Sequence, residues 1–276
     1  MSSAVKFRVE SPSSILAYMQ CPRKYYYRYV RRLEQKPSIH LVLGAAVHSA
    51  IEAFHKSEPV GLQEETFFGS LHPGLMRHFG REWKKNSATI EKTGLRSWQE
   101  SFYFRQGMMM LDNFYRHHMG MVRDVQYRSG LTFSKAFDTL RPSSEMKIYS
   151  ERLGMVGVID AVQDVDGKTS IVDYKTSKKS ELDEECMIQL SILALLYNER
   201  FGRSPDRVGI HFLRHGLRML PAIPDVVKFG EKVCSRFRWV AESDDISEYP
   251  QKKTGLCKYR TGQCDYYKVC MDSERG

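Results

Sequence analysis

Two aspartates lie where a short hairpin would bring them together. The dipeptide Asp-Gly at 166–167 tolerates the positive φ angles of a two-residue type I′ turn, so Val165 should face Lys168. Counting outward from that pair places Asp160 directly opposite Asp173. Cross-strand Cβ atoms lie about 4.5–5.5 Å apart, a distance at which like charges destabilise a sheet. A divalent cation such as Mg²⁺ or Mn²⁺ would offset the repulsion, because both ions prefer oxygen ligands.

Lys175 follows Asp173 by two positions, so both side chains should point to the same face of one strand. An ammonium group beside two metal-binding carboxylates suits phosphodiester hydrolysis. It can orient or help to deprotonate the attacking water, and it stabilises the charge that builds on the phosphate. The alternative is a surface hairpin whose charges are merely solvated, because an Asp-x-Lys on a strand is a common pattern.

The segment after Pro142 supplies the elements that would position these groups. Its apolar patterning predicts strands over 145–152, 155–163, 170–175, 207–213 and 217–220, and a long apolar helix over 184–201. An amphipathic helix is predicted over 224–242. Strands followed by a helix and further strands predict an α/β core.

Helical patterns dominate the first half of the chain. Apolar residues recur at helical spacing over 40–56 and place His48 on a buried or half-buried face, although a satisfied core histidine is the simpler interpretation. The Met-rich region 60–142 is interpreted as a helical insertion. We therefore predict a single domain over 1–276, comprising N-terminal helices with Cys21 and His48 (1–59), the insertion (60–142), a catalytic core (143–225), and a C-terminal helix with a cysteine-bearing segment (226–276).

The charge balance favours a polyanionic partner. Lys and Arg total 42 against 33 Asp and Glu, a formal net charge of +9. No apolar run approaches the roughly 18 residues of a membrane-spanning helix, and the N-terminus does not resemble a secretion signal. We expect no membrane association and a cytoplasmic protein, in which six cysteines would not form disulfides.

Four short motifs follow one another along the chain: GxxxH ending at His48, GVID ending at Asp160, VDYKT around Asp173, and QL beginning at Gln189. In this order they resemble the RecB-like branch of the PD-(D/E)XK nuclease superfamily. The resemblance covers nearly the whole chain except about 60–140. It implies a restriction-endonuclease-like α/β fold, in which a mixed central sheet is flanked by helices, here with a helical insertion and a Cys-bearing terminal region.

The resemblance also implies roles for individual residues. The metal ligands, for Mg²⁺ or Mn²⁺, would be His48, Asp160, Asp173 and the backbone carbonyl of Tyr174. Lys175 would be the catalytic lysine, and Gln189 would lie beside the substrate. Glu145 matches a further, less distinctive position. Relatives often carry a tyrosine four residues after the glutamine, where this chain has Leu193 and then Tyr197 one turn later.

Four cysteines form a second candidate site. Three thiols occur within fourteen residues, at Cys257, Cys264 and Cys270, and Cys21 stands in the sequence CPRKY. This pattern resembles the RecB-like nucleases that carry a [4Fe–4S] cluster, such as the AddAB nucleases and CRISPR-associated exonucleases, and would clasp the two chain ends together. The six-residue gap between Cys257 and Cys264 is wider than is usual in the family. Zinc is the main alternative, and structural thiols without a metal are another.

A basic and aromatic stretch follows Cys21. Arg23, Lys24, Tyr25 and Arg28 are predicted to contact DNA, because cations neutralise phosphates and aromatic rings stack on unpaired bases. Packing is an equal alternative for each tyrosine.

The predicted function is a Mg²⁺- or Mn²⁺-dependent DNA exonuclease acting on single-stranded or frayed ends. The resemblance suggests recombinational repair or CRISPR spacer acquisition, with helicase or CRISPR adaptation proteins as partners. One alternative is a non-catalytic DNA-end-binding module of a larger complex. Another is a hydrolase of small phosphate esters.

Overall fold

A mixed five-stranded sheet forms the centre of the molecule. The computed structural model describes residues 8–58, 64–259 and 262–272. The strands lie side by side in chain order: β1 (Ser143–Ser150), β2 (Met155–Val165), β3 (Lys168–Lys175), β4 (Arg207–Phe212) and β5 (Gly216–Pro221). Neighbouring strands are antiparallel except for β3 and β4, which are parallel. The predicted mixed sheet with flanking helices is confirmed.

The β2–β3 hairpin has the predicted register. Val165 pairs with Lys168, and the two turn residues have φ angles of 53° and 71°. The ladder continues to the pair Ala161 and Val172, so the next step in register sets Asp160 against Asp173. The hairpin therefore brings the two aspartates to one end of the β2–β3 pair.

The parallel pair β3–β4 requires a crossover connection, which helix α8 (Glu184–Phe201) provides. Asp183 caps its first turn by accepting a hydrogen bond from the backbone N–H of Cys186 at 3.0 Å. Gly202, with a φ of 68°, ends it in the left-handed conformation. Most residues between these ends are buried, so α8 forms the centre of one core.

The two chain ends cover the α8 side of the sheet. The N-terminal elements are α1 (Pro12–Gln20), α2 (Pro22–Tyr25) and a π-helical turn (Tyr26–Val30). The C-terminal elements are α9 (Pro224–Phe237), two 3₁₀ turns (Arg238–Ala241 and Ile246–Glu248), a short hairpin of β6 (Lys258–Tyr259) and β7 (Gly262–Gln263), and α10 (Tyr267–Asp272). Tyr25 stacks on Tyr249 with ring centroids 5.8 Å apart, and Tyr27 contacts Tyr266. These aromatic contacts tie the ends of the chain together.

Helices with a second core cover the opposite side. They are α3 (Ile39–His55), α4 (Glu64–Lys85), α5 (Ser87–Glu91), α6 (Ser97–Ser129) and α7 (Phe133–Thr139). Their apolar residues pack with Ala161, Val172 and Tyr174 of the sheet. Although α6 has 33 residues, neither it nor any other helix in the described ranges is long and apolar enough to cross a membrane.

Candidate active site

His48, Glu145 and Asp160 converge from three elements, α3, β1 and β2. One ligand atom from each lies within 4.8 Å of the other two. His48 comes from α3, and its Nδ1 is 3.5 Å from Oδ2 of Asp160. In the described part of the chain, no other group of three or more His, Cys, Asp or Glu side chains meets this criterion. One imidazole nitrogen and two carboxylates form a donor set that suits Mg²⁺ or Mn²⁺.

Glu145 reaches this group through an unusual backbone conformation. It stands in register opposite Asp160, but the β1–β2 ladder skips that pair and resumes at Ser144–Ala161 and Met146–Ile159. Its φ of 51° lies in the left-handed region, which a residue with a Cβ rarely adopts within a strand. Such strain concentrates at functional sites, where the surrounding structure holds it in place.

The electrostatics of the site reflect its crowded carboxylates. Burial and the charge of Asp160 raise the pKa of Glu145. Burial and Asp160 likewise raise the pKa of Asp173 to about 6, although Lys175 and His48 oppose the shift. Burial disfavours the charged imidazole of His48, but its interactions with Asp160, Asp173 and Glu145 outweigh this and raise its pKa. A bound cation would relieve the repulsion that these shifts express.

Asp173, Lys175 and Gln189 form a closed polar triangle beside this group. Lys175 Nζ lies 2.8 Å from Asp173 Oδ2 and donates a hydrogen bond to Gln189 Oε1 at 2.7 Å. Gln189 Nε2 donates in turn to Asp173 Oδ1. Asp173 Oδ2 is buried and, among the described residues, has the ion pair with Lys175 but no hydrogen bond of regular geometry. This oxygen therefore has capacity for a further ligand.

Asp160 is held in place by the neighbouring strand. Its Oδ2 accepts a hydrogen bond from the backbone N–H of Tyr174 at 2.7 Å. The Tyr174 ring is buried against Phe114, His55 and His211. Packing of this ring in the second core therefore holds β3 in place. The same strand carries Asp173 and the amide that bonds to Asp160.

The structure brings the predicted residues of the site together but groups them differently from the predicted ligand set. His48 and Asp160 are joined by Glu145, while the Asp173 carboxylate faces Lys175 and Gln189. Glu145 lies opposite Asp160 on the other side of β2, but counting along the strands finds it only if the length of the β1–β2 turn is known.

The first motif places a glycine one turn before His48. A Cβ added at Gly44 would meet Thr176 Oγ1 at 3.6 Å, which is ordinary van der Waals contact. The position is close to the end of β3, yet the backbone there does not need a glycine.

The four candidate cluster cysteines share one region of the molecule. Cys21, Cys257 and Cys264 line an open cavity of about 380 Å³. The pKa of Cys270 is raised first by burial and then by the neighbouring thiols of Cys21, Cys264 and Cys257. In the described part of the chain, no three of these thiols lie mutually within 4.8 Å, the spacing expected around a single metal ion.

The basic stretch after Cys21 is split between surface and core. Tyr25 is 0% exposed, and its hydroxyl donates to the buried carboxylate of Glu10, so its ring has no surface on which a base could stack. Arg23 donates from Nε to the carbonyl of Tyr249 at 2.7 Å and remains half-buried. Lys24 and Arg28 are also half-buried. Packing explains Tyr25, whereas the three cations stay candidates for DNA contact.

Comparison with known proteins adds three findings. A family model of the PD-(D/E)XK nuclease superfamily matches residues 10–271. The Gene 69 protein of Mycobacterium phage D29 is 24% identical over 275 residues, which cover 96% of this chain and 97% of that protein. The crystal structure of a candidate exonuclease from Eubacterium rectale superposes with a TM-score of 0.54 at 14% identity, covering 94% of this chain and 91% of that one. At this identity the structural match supports the fold alone.

Proposed function

Because the chain belongs to the PD-(D/E)XK nuclease superfamily, we propose that it is a Mg²⁺- or Mn²⁺-dependent deoxyribonuclease that removes nucleotides from single-stranded or frayed DNA ends. The observation that carries the proposal is the convergence of His48, Glu145 and Asp160 next to the Asp173–Lys175 ion pair. Carboxylates, an imidazole and an ammonium group at one strand end are the groups that metal-assisted phosphodiester hydrolysis uses.

The donor set fits a divalent cation. Two carboxylates and an imidazole lie within 4.8 Å of one another, and Asp173 adds a buried oxygen with spare capacity. His48, Glu145 and Asp160 would hold the ion, with Asp173 and the Tyr174 carbonyl as further ligands implied by the family. When bound, the ion supplies Lewis-acid polarisation of the phosphoryl oxygen.

The remaining polar groups have distinct tasks. Lys175, held by Asp173 and Gln189, orients the attacking water and stabilises the negative charge on the phosphate. Gln189 is a positioning residue, because it bonds both members of the ion pair and fixes their geometry. Asp160 is aligned by the Tyr174 amide, so the carboxylate need not reorganise when substrate arrives.

The cysteine region is proposed to bind a [4Fe–4S] cluster with Cys21, Cys257, Cys264 and Cys270 as ligands. The cavity beside these thiols supports the proposal, because it leaves room for a cluster between the two chain ends. Zinc is the alternative, and elemental analysis of iron and zinc distinguishes the two. A cluster here would be structural and would hold the basic residues Arg23, Lys24 and Arg28 in position for DNA.

The test is cleavage of an end-labelled single strand and of a blunt duplex by anaerobically purified protein, with Mn²⁺ or with EDTA. We expect metal-dependent shortening of the single strand, and the label gives its polarity. The variant Lys175→Ala should lose cleavage by at least about a hundred-fold. Lys168→Ala, an exposed lysine at the other end of the same strand, should cleave like the wild type.

A non-catalytic DNA-end-binding module is the alternative. It predicts DNA binding without cleavage under any metal, and no effect of Lys175→Ala on that binding. The favourable geometry of the Lys175–Asp173–Gln189 triangle supports the enzyme. The settings proposed for the enzyme are end processing in recombinational repair, with a helicase as partner, or in CRISPR spacer acquisition, with adaptation proteins as partners.

A further inference from the structure

The amino-terminal turns of α6 expose aromatic residues where a core helix would have polar ones. Trp98 is 64% exposed and Phe102 is 45% exposed, and they lie one turn apart on the same face of the helix. Phe102 contacts Tyr103, with ring centroids 5.5 Å apart. Tyr103 in turn meets His40 of α3 edge-on at 5.2 Å. We call these four residues, Trp98, Phe102, Tyr103 and His40, the α6 platform.

The helix that carries the α6 platform is joined to the candidate active site by hydrogen bonds one turn further along the chain. Gln106, one turn after Phe102 on the same face, accepts a hydrogen bond from Arg214. Arg214 Nε also donates to the carbonyl of Thr176 at 3.2 Å, and Thr176 directly follows Lys175. The rise from Trp98 to Gln106 is about 12 Å along the helix. The platform therefore extends along α6 away from Thr176, at the end of β3.

Positive charge accompanies the aromatic rings. Lys178 and Arg214 both lie close enough to His40 to lower its pKa, in addition to the larger effect of burial. Arg96 and Arg105 are exposed on the same part of α6. Between Trp98 and Leu111 the one acidic residue is Glu100, which is half-buried and accepts a hydrogen bond from Trp83 on the side where α6 packs against α4. A surface with aromatic faces and cations is complementary to a chain of phosphates that carries unpaired bases.

The packing of α6 leaves these rings available. The neighbouring Phe104 faces inward, where it contacts Phe79 and Trp83, and Gly107 lies so close to Phe79 that an added Cβ would be 2.2 Å from the ring. Trp98 and Phe102 lie outside the buried core of this region. The core thus holds α6 rigidly while its other face remains open.

We propose that the α6 platform binds the unpaired strand of the nucleic-acid substrate, with Trp98 and Phe102 stacking on bases and Lys178 neutralising phosphate between them and the active site. This inference rests on the proposed nuclease function and gives the helical region before the sheet a role in selecting single strands. A duplex end would have to unpair before its bases could reach the rings, so the surface discriminates against blunt DNA.

The test is fluorescence anisotropy of a labelled oligothymidylate and of a blunt duplex, measured in EDTA so that no cleavage occurs. Trp98→Ala and Phe102→Ala should each weaken binding of the oligothymidylate by about five-fold or more, the equivalent of about 1 kcal/mol per stacked base. Duplex binding should change little. Trp98→Phe should restore most of the affinity, since it keeps a stacking ring.

Tyr127 provides a matched control, because it is a 93% exposed aromatic on the same helix, about 43 Å from Trp98 by helical rise. Tyr127→Ala should bind both DNAs like the wild type. Equal binding of the oligothymidylate by Trp98→Ala, Phe102→Ala and wild type would overturn the proposal. So would unchanged DNA affinity together with a shift in oligomeric state on gel filtration, because the rings would then be a contact between copies of the chain.

The same proteins distinguish this proposal from the nuclease function. If the wild type cleaves DNA with Mn²⁺ and the platform variants bind and cleave single strands equally well, the platform is wrong and the nuclease stands. If the wild type cleaves nothing, yet single-strand binding falls in Trp98→Ala and Phe102→Ala, the platform stands and the nuclease is wrong. Hydrolysis of a small phosphodiester without bases should be equal in all variants, since it does not use the rings.

Discussion

Asp160 on β2 accepts a hydrogen bond from the backbone amide of Tyr174 on β3, with 2.7 Å between Oδ2 and N. The bond crosses the two strands just beyond the last pair of the β2–β3 ladder, where Asp160 and Asp173 come into register. One carboxylate oxygen is thereby fixed to the backbone that carries Asp173.

Substitution of Asp160 by asparagine should separate folding from metal binding. The new carboxamide would keep an oxygen that can accept from the Tyr174 amide, and the substitution removes one of the crowded negative charges. We expect the free energy of unfolding of Asp160→Asn in EDTA to equal that of the wild type or to exceed it by about 1 kcal/mol. Saturating Mn²⁺ should raise the melting temperature of the wild type but not of the variant.

The control for that experiment is Asp164→Asn, an exposed aspartate on the same strand. It should retain the full response to Mn²⁺. An equal response in Asp160→Asn would show that Asp160 does not hold the ion.

Gln189→Ala should slow DNA cleavage by about 10- to 100-fold, the usual effect of removing a group that orients the residues around a metal. Its side chain bonds both Asp173 and Lys175, so the variant leaves Asp173 Oδ1 without that donor. Loss of a hydrogen bond to the charged form should raise the pKa of Asp173 further. The acidic limb of the pH–rate profile should therefore move to higher pH.

A purely structural role for Gln189 predicts something else. The rate would fall only in proportion to the loss of folded protein, and the acidic limb would stay where it is in the wild type. Circular dichroism of the same samples measures the folded fraction.

The hairpin register could be predicted from sequence because it depends on local rules. An Asp-Gly turn and the two-residue period of a strand are enough to set Asp160 against Asp173, and that prediction is confirmed. The same logic reaches Glu145 only if the length of the β1–β2 turn is known. Residues 151–154 form an irregular turn whose length cannot be recognised from the sequence. Glu145 was therefore assigned only by resemblance.

Burial of Tyr25 depended on contacts that no local pattern contains. Its ring stacks on that of Tyr249, which is distant in sequence, and its hydroxyl donates to Glu10. A basic and aromatic stretch is as compatible with a DNA-binding surface as with tyrosines packed between the two chain ends. Only the folded positions of the chain ends decide between the two.

Cys264→Ser tests the proposed cluster. We expect the anaerobically purified wild type to contain iron and the variant to lose most of it, because a cluster needs four thiolates. The melting temperature of the variant should fall by about 2–4 °C or more, since bound metal stabilises the folded state by at least about 1 kcal/mol. Elemental analysis and thermal unfolding measure the two effects.

Cys186→Ala is the matched control, because this cysteine is buried at the start of α8 and is not among the four proposed ligands. Its iron content should equal that of the wild type. Zinc in place of iron would reject the cluster, and no metal in the wild type would reject both metal sites for these cysteines.

Gly230→Ala should destabilise the packing of α9 on α8. An added Cβ would lie 2.5 Å from the carbonyl oxygen of Ser191, and backbone on both sides leaves little room to adjust. Overpacking of this kind costs about 1–3 kcal/mol. Gly80→Ala, in an open position on α4, should instead stabilise by up to about 1 kcal/mol through helix propensity. The urea midpoint should therefore fall below that of the wild type in Gly230→Ala and rise above it in Gly80→Ala. Similar midpoints in the two variants would contradict the close contact between α9 and α8.

Three buried histidines should make the protein sensitive to acid. Burial, with smaller effects of neighbouring cations and imidazoles, lowers the pKa of His55 and His211 to about 3 and that of His118 to about 4. The unfolded chain takes up protons below about pH 6.5, whereas the folded protein does not until the pH is far lower. Stability is therefore greatest above about pH 6.5 and falls by about 1.4 kcal/mol per pH unit for each histidine as the pH drops toward about 4.

His118→Leu should remove about one third of this slope. The ring lies among Phe54, Phe114 and Phe137, and within the described structure its Nε2 has no hydrogen-bond partner, so an apolar side chain suits the position. In urea unfolding at about pH 7.5, the free energies of unfolding of His118→Leu and of the wild type should differ by less than about 1 kcal/mol. The free energy of unfolding of the variant minus that of the wild type should be about 2 kcal/mol larger at about pH 5 than at about pH 7.5. His215→Gln, an exposed histidine at the β4–β5 turn, should follow the wild type at both pH values. An identical loss of stability in His118→Leu and wild type would mean that His118 is already protonated in the fold, because only a histidine that stays neutral there can oppose folding in acid.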